Sequence, residues 1–136
     1  MTDTDAILVV ALEKSRAILD MLVARDYKVF SLNGMEIKSK DELLRQLSQV
    51  MKFPDYFGSN WDALEECLND LSWLSAKGYA IQFTNADNFI NNSLSDFRIF
   101  AQIVESVSKR WKVDKIGFTL IVETNNPTLN QKDEPN

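Results

Sequence analysis

The sequence predicts an α/β fold: a small parallel sheet of three strands, with a fourth available from the first 26 residues, packed by helices in two or three layers. Three observations carry this prediction. Short apolar stretches with a two-residue period recur along the chain. Amphipathic segments with helical spacing lie between them. Strands separated by helices must run parallel, because the chain returns to the same edge through a right-handed crossover.

Each element has its own signal. Tyr27 to Leu32 alternates apolar and polar residues and stops at Asn33-Gly34, a strand running into a turn. Ser39 and Glu42 form the two ends of a capping box, and Leu43, Leu44, Leu47, Val50 and Met51 follow at helical spacing. That predicts a helix over 40–52, ended by Phe53-Pro54, since proline removes a donor and restricts its predecessor. Phe57-Gly58-Ser59-Asn60 is a tight connection, with Asn60 or Ser59 placed to cap the next helix. There Leu64, Cys67, Leu68 and Leu71 make one apolar stripe. Tyr79 to Thr84 reads as a strand, and Asn85 to Asn92 as irregular chain or a single turn. Ser93 or Ser95 then caps a helix whose apolar face is Phe97, Phe100, Ala101, Val104 and Val107. Residues 115–123 form the last strand, with Ile116, Phe118, Leu120 and Val122 on one face. Ile7 to Leu12 fits either a strand followed by a helix over 13–25 or one continuous helix. Periodicity does not decide so short a run.

At 136 residues the chain is expected to form one domain over 1–124, large enough for its own core, followed by a polar, disordered tail over 125–136. A single cysteine, Cys67, rules out an internal disulfide. The first five residues carry two aspartates and no basic residue, and the apolar run after them is short for a signal core or a membrane span. A soluble, cytoplasmic protein is expected, with no membrane partner.

The charge pattern is more specific. Net charge is −5 and the isoelectric point is near 4.7, which argues against nucleic acid as a direct partner. Between Phe53 and Ala76 stand Asp55, Asp62, Glu65, Glu66 and Asp70, with no lysine or arginine. The remaining 15 acids are matched by 15 basic residues, so the whole net charge arises in this one stretch. On the helix after Asn60, Asp62 and Glu66 are i, i+4 neighbours, as are Glu66 and Asp70. Like charges at that spacing destabilise a helix. The plain alternative is a solvated face with acids near the positive end of the helix dipole. That accounts for Asp62 and partly for Glu65, but not for Asp70, which lies past the first turn.

Other chemistry is poorly supplied. Asp62 with Glu66 is formally a carboxylate pair, yet a hard metal wants several oxygens gathered in a loop. The chain has no histidine, the commonest general base and transition-metal ligand. No glycine-rich phosphate loop occurs, and Cys67 sits in the apolar stripe as a buried thiol. No cofactor, no metal and no enzymatic activity are expected. Tyr56, Phe57, Trp61 and Trp73 flank the acidic helix; they suit core contacts and also interface anchors.

The run from Phe53 to Leu68 resembles the barstar family, whose members carry a similar Pro-x-Tyr-(Tyr/Phe)-Gly-x-Asn-x-Asp-Ala-Leu-x-(Asp/Glu)-Cys-Leu block. The likeness extends more weakly over 27–123: residues 30–37 are similar to the family's first strand and turn, residues 101–123 to its last helix and strand. It implies a three-stranded parallel sheet packed by helices, and one-to-one inhibition of a small basic ribonuclease. The acidic helix and the loop before it would enter the enzyme's cleft where RNA phosphates bind. Mapped by motif, the partner-binding residues implied are Tyr56, Gly58, Asn60, Asp62 and Glu66, with Glu65 and Asn69 supporting. A phosphate-binding cleft is lined with cationic donors, so a carboxylate array satisfies them and steers encounter.

The resemblance has departures. The second carboxylate is often aspartate in the family and is Glu66 here; the residue before it is aromatic in the family's namesake and is Glu65 here. A further acid on the family's last helix has no clear counterpart, Glu105 or Ser106 falling near it. These differences imply a partner related to, but distinct from, the enzyme the namesake inhibits. The competing function is an acidic interaction module for a basic partner that is not a ribonuclease.

Overall fold

The computed structural model describes residues 6–55 and 57–125. Its elements in chain order are β1 (Ile7–Val10), α1 (Leu12–Ala24), β2 (Lys28–Asn33), α2 (Lys40–Val50), α3 (Trp61–Asp70), β3 (Gly78–Thr84), α4 (Asp87–Asn92), α5 (Leu94–Val113) and β4 (Gly117–Glu123). The four strands form one sheet, all parallel, in the order β1-β4-β3-β2.

Strand alternation divides the core. Leu32, Tyr79, Ile81, Phe83, Phe118, Leu120 and Val122 face α2 to α5 and join them in one large buried cluster. The opposite sheet face carries Ala80 and Ile121, which pack with Leu22 of α1. The arrangement is therefore three-layered, with α1 alone on its side. The two readings of the first 26 residues resolve into strand then helix. Pairing decides the matter: Leu120 N donates to Ala6 O, Thr124 N donates to Val10 O, and β1 runs in register along β4.

Local chemistry sets the ends. The Ser39 side chain caps α2 by accepting from Glu42 N, while Glu42 Oε1 accepts from Lys38 N at 2.7 Å. α2 stops at Val50, two residues earlier than the spacing predicts, because Lys52 takes a left-handed backbone (φ 54°). Likewise β4 begins at Gly117 instead of Lys115, whose φ of 62° turns α5 into the strand. Asn85 to Asn92, expected to be irregular or a single turn, contains the six-residue α4. Its Phe89 and Ile90 are buried, and Asp87 is held by the Thr124 hydroxyl and by Asn125 N at 2.9 Å. Ser93 occupies the start of α5, but its side chain caps nothing.

Under α1 lies a polar chain that strand periodicity did not reveal. Ser31 Oγ donates to Gln82 Oε1 at 2.7 Å, Gln82 Nε2 donates to Glu123 Oε2 at 2.6 Å, and Ser15 Oγ donates to the same oxygen at 2.6 Å. Glu123 is only 7% exposed. Burying a carboxylate requires such donors. The tail over 126–136 and residues 1–5 lie outside the described residues.

Candidate partner-binding face

The loop ahead of α3 is built on aromatic contacts. Phe53 and Phe57 meet edge to face at 4.9 Å, Phe53 meets Trp73 at 6.3 Å, and Trp73 Nε1 donates to Met51 O at 2.9 Å. These rings are partly buried against the core, as is Trp61, above which Lys40 Nζ stands at 5.7 Å. Asn60 then starts the helix. Its Oδ1 accepts from Ala63 N at 2.8 Å, and its Nδ2 donates to Gly58 O at 3.4 Å, so one side chain caps α3 and fastens the loop. Ser59 adopts φ 54°, which turns the loop into the helix. Tyr56, a residue of the implied site, lies outside the described residues.

α3 buries the expected stripe. Leu64, Cys67, Leu68 and Leu71 are at most 2% exposed, and Leu71 closes the helix in a left-handed conformation with its N–H on Cys67 O. Burial, and then the neighbouring Asp70 and Glu66 carboxylates, push the Cys67 thiol upward from its ordinary pKa. That opposes the thiolate and any nucleophilic role.

The opposite face carries the acids. Asp62, Glu66 and Asp70 are exposed, while Glu65 and Asn69 are half-buried. Among the described residues neither Asp62 nor Glu66 has an ion-pair partner within the chain; the salt bridges there join Glu42 to Arg45, Asp26 to Lys77 and Asp114 to Arg110. Glu65 differs: its Oε2 accepts from Ser106 Oγ of α5 at 3.0 Å. Gly58 is exposed, its backbone is not left-handed, and an added Cβ would meet Asn60 Nδ2 and Ala63 Cβ only at ordinary distances of 3.4 and 3.8 Å. The structure thus gathers Gly58, Asn60, Asp62, Glu65, Glu66 and Asn69 on one loop and one helix.

Residues beyond those read from the sequence border the face. Arg110, Trp111 and Asp114, at the end of α5, line a cleft with Glu66, Asn69 and Asp70. Helix pairing places them there, and no local motif signals it. No group of three or more potential metal-ligating side chains occurs among the described residues, and no described helix is long and apolar enough to cross a membrane.

Fold and face together define a small parallel α/β protein that gathers its negative charge on one exposed helix. The sequence matches the family described as Barstar (barnase inhibitor) over residues 27–123, most of its length, and the chain belongs to that family. The family is one of ribonuclease inhibitors rather than enzymes. No curated protein matches the chain at a significant level.

Proposed function

We propose that this chain is a stoichiometric inhibitor of a small basic ribonuclease, covering the enzyme's active site with α3 and the loop before it. The observation that carries the reading is the pair Asp62 and Glu66, exposed on one helix face with no ion-pair partner among the described residues. A chain folding for stability alone has no use for two like charges at i, i+4. A cleft built to bind RNA phosphate supplies the missing cations and is blocked in doing so.

Tyr56, Gly58, Asn60, Glu65 and Asn69 support the two carboxylates. The bare backbone at Gly58 permits close approach, Asn60 fixes the loop, and Glu65 sets the helix against α5. The biological role is immunity: a producing cell keeps the inhibitor in its cytoplasm, one to one with the toxic enzyme.

The test is inhibition of a panel of small basic microbial ribonucleases at low and high salt. Stoichiometric inhibition that weakens with salt and with Glu66→Ala is the expected result. Absence of inhibition across the panel by folded protein overturns the reading and moves the face to another class of basic partner.

A further inference from the structure

The sheet has two edges, and the chain treats them differently. At the β2 edge the strand opens with Lys28, and Asn33 N donates to Gln46 Oε1 of α2 at 2.6 Å. A charge on an edge strand and a covered N–H both guard against pairing with another chain. The β1 edge, Ile7-Leu8-Val9-Val10, has no charged residue and no proline. Its bonds to β4 show which groups are left over: Ala6 O and Val10 O accept from Leu120 N and Thr124 N. Backbone groups alternate in direction along a strand, so the N–H and C=O of Ile7 and Val9 point away from β4. α5 runs beside this edge, packed on β4 and touching β1. Its flank towards α3 carries Ser106, which is bonded to Glu65. Across the core-facing residues from Ser106 stand Leu94, Arg98, Ala101, Glu105 and Ser108, alternately four and three residues apart, the spacing of a helix-pairing seam. Leu94 is 40% exposed, and Arg98 and Glu105 are exposed with no ion-pair partner among the described residues.

We propose that two copies of this chain join at this edge about a two-fold axis, β1 against β1 and α5 against α5. Antiparallel pairing with Leu8 opposite its own copy sets Ile7 opposite Val9, and the outward N–H and C=O groups of these residues satisfy one another. The two four-stranded sheets become one of eight strands. Both copies of α5 then lie on the same side of that sheet and run antiparallel. Arg98 of each faces Glu105 of the other, and the small Ala101 sits near the axis. One axis serves both contacts: Leu8 is level with Ile121, about 13 Å along β4 from Gly117, and Ala101 is about 18 Å back from the end of α5, within one helical turn of it. Four paired residues alone make a weak join, and the charged helix flank supplies the rest. The acidic face of α3 lies on the other side of α5, so each copy keeps it free. The pairing is independent of the inhibitor reading, and β1 precedes the region that matches the family.

The test is sedimentation velocity of the full chain over a range of concentrations. A species of twice the chain's 15.6 kDa is expected. Arg98→Glu or Glu105→Arg alone sets like charges opposite each other and should weaken association about tenfold, while the double exchange should restore it. Val9→Pro removes an outward N–H and no bond to β4, so it should shift the chain to monomer with the fold kept. Leu8→Cys reads the register. Facing residues of a non-hydrogen-bonded antiparallel pair have Cα atoms about 4.5 Å apart, within disulfide reach, so the oxidised variant should become a covalent dimer. The unmodified chain, whose one thiol is the buried Cys67, should not. Removing the extension is no control, since it bares the longer edge of β4. A full chain that stays monomeric up to millimolar concentration overturns the proposal. So does a dimer that ignores the charge exchanges and fails to cross-link at position 8, because it must form through another face.

Discussion

Ser106 Oγ on α5 donates to Glu65 Oε2 on α3 at 3.0 Å, so two neighbouring carboxylates, Glu65 and Glu66, enter different environments. Glu65 is half-buried and joined to the adjoining helix, whereas Glu66 is exposed and has no described cation. The two should separate on mutation. Glu66→Ala is expected to weaken ribonuclease binding by about 2–5 kcal/mol, the range for removing one partner of a desolvated charge pair. Glu66→Gln should also raise stability by a few tenths of a kcal/mol, because it relieves the repulsion from Asp62 and Asp70. Glu65→Ala should act mainly on stability, through the lost bond to Ser106. Titration calorimetry and thermal unfolding of each variant check this. Equal binding losses at both positions would contradict the distinction.

Two glycines offer a sharper contrast between folding and binding. Gly34 packs its Cα against the backbone oxygens of Thr84 and Asn85, where any Cβ would collide. Backbone cannot step aside as a flexible side chain can, so Gly34→Ala should cost about 1–3 kcal/mol of stability, as overpacking does. Gly58 has room for a methyl and no left-handed backbone. Gly58→Ala should leave the urea midpoint unchanged and weaken binding. A lowered midpoint in Gly58→Ala would assign that glycine to the fold instead.

Alkaline pH should destabilise the protein. Burial raises the Cys67 thiol, helped by Asp70 and Glu66, and burial raises the Tyr79 phenol although its backbone hydrogen bond pulls the other way. In both cases the folded state holds its proton more tightly than the unfolded chain. Their contributions are therefore fully present below the ordinary values of 9.0 and 10.0, and are lost as pH rises through the higher folded values. Unfolding midpoints followed from pH 8 upward should fall beyond about pH 9. Cys67→Ala should flatten the first part of that fall, whatever it costs in packing. An unchanged slope in that variant would remove the thiol from the explanation.

Much of the site was legible because local signals and tertiary demands agree there. The stripe from Leu64 to Leu71 follows from spacing alone and leaves the acids no face but the outer one, while of the two cap candidates, Asn60 and Ser59, the structure uses Asn60. The legibility ended where a neighbour decides. α4 forms on a polar segment because Phe89 and Ile90 reach the core and Thr124 and Asn125, just past β4, hold Asp87. Ser93 has the right chemistry for a cap, but its side chain makes no such bond. Glu123 ends an apolar strand, and nothing in the strand pattern signals that Ser15 of α1 binds its buried carboxylate. The cleft at Asn69 depends on where α5 crosses α3, which no window of sequence records.

The N-terminal unit gives the last prediction. Residues before Tyr27 lie outside the family match, yet β1 occupies the edge of β4 and α1 covers Ala80 and Ile121, both fully buried. We infer that residues 1–124 unfold as one unit, with this extension part of it. Without the extension the β4 edge would lie open to pairing with another chain. Glu123 would also lose the Ser15 donor while remaining bonded to Gln82. Ser15→Ala in the full chain isolates the second effect: a hydrogen bond to a charged group contributes about 1.5–3 kcal/mol, so the urea midpoint should drop accordingly. A chain beginning at Tyr27 should show both effects, unfolding earlier and associating in light scattering. Coincident unfolding curves from the Trp111 region and from a probe placed on α1 are expected in the full chain. Separate transitions would make the extension an independent cover instead of part of the unit, and would leave the matched region to fold on its own.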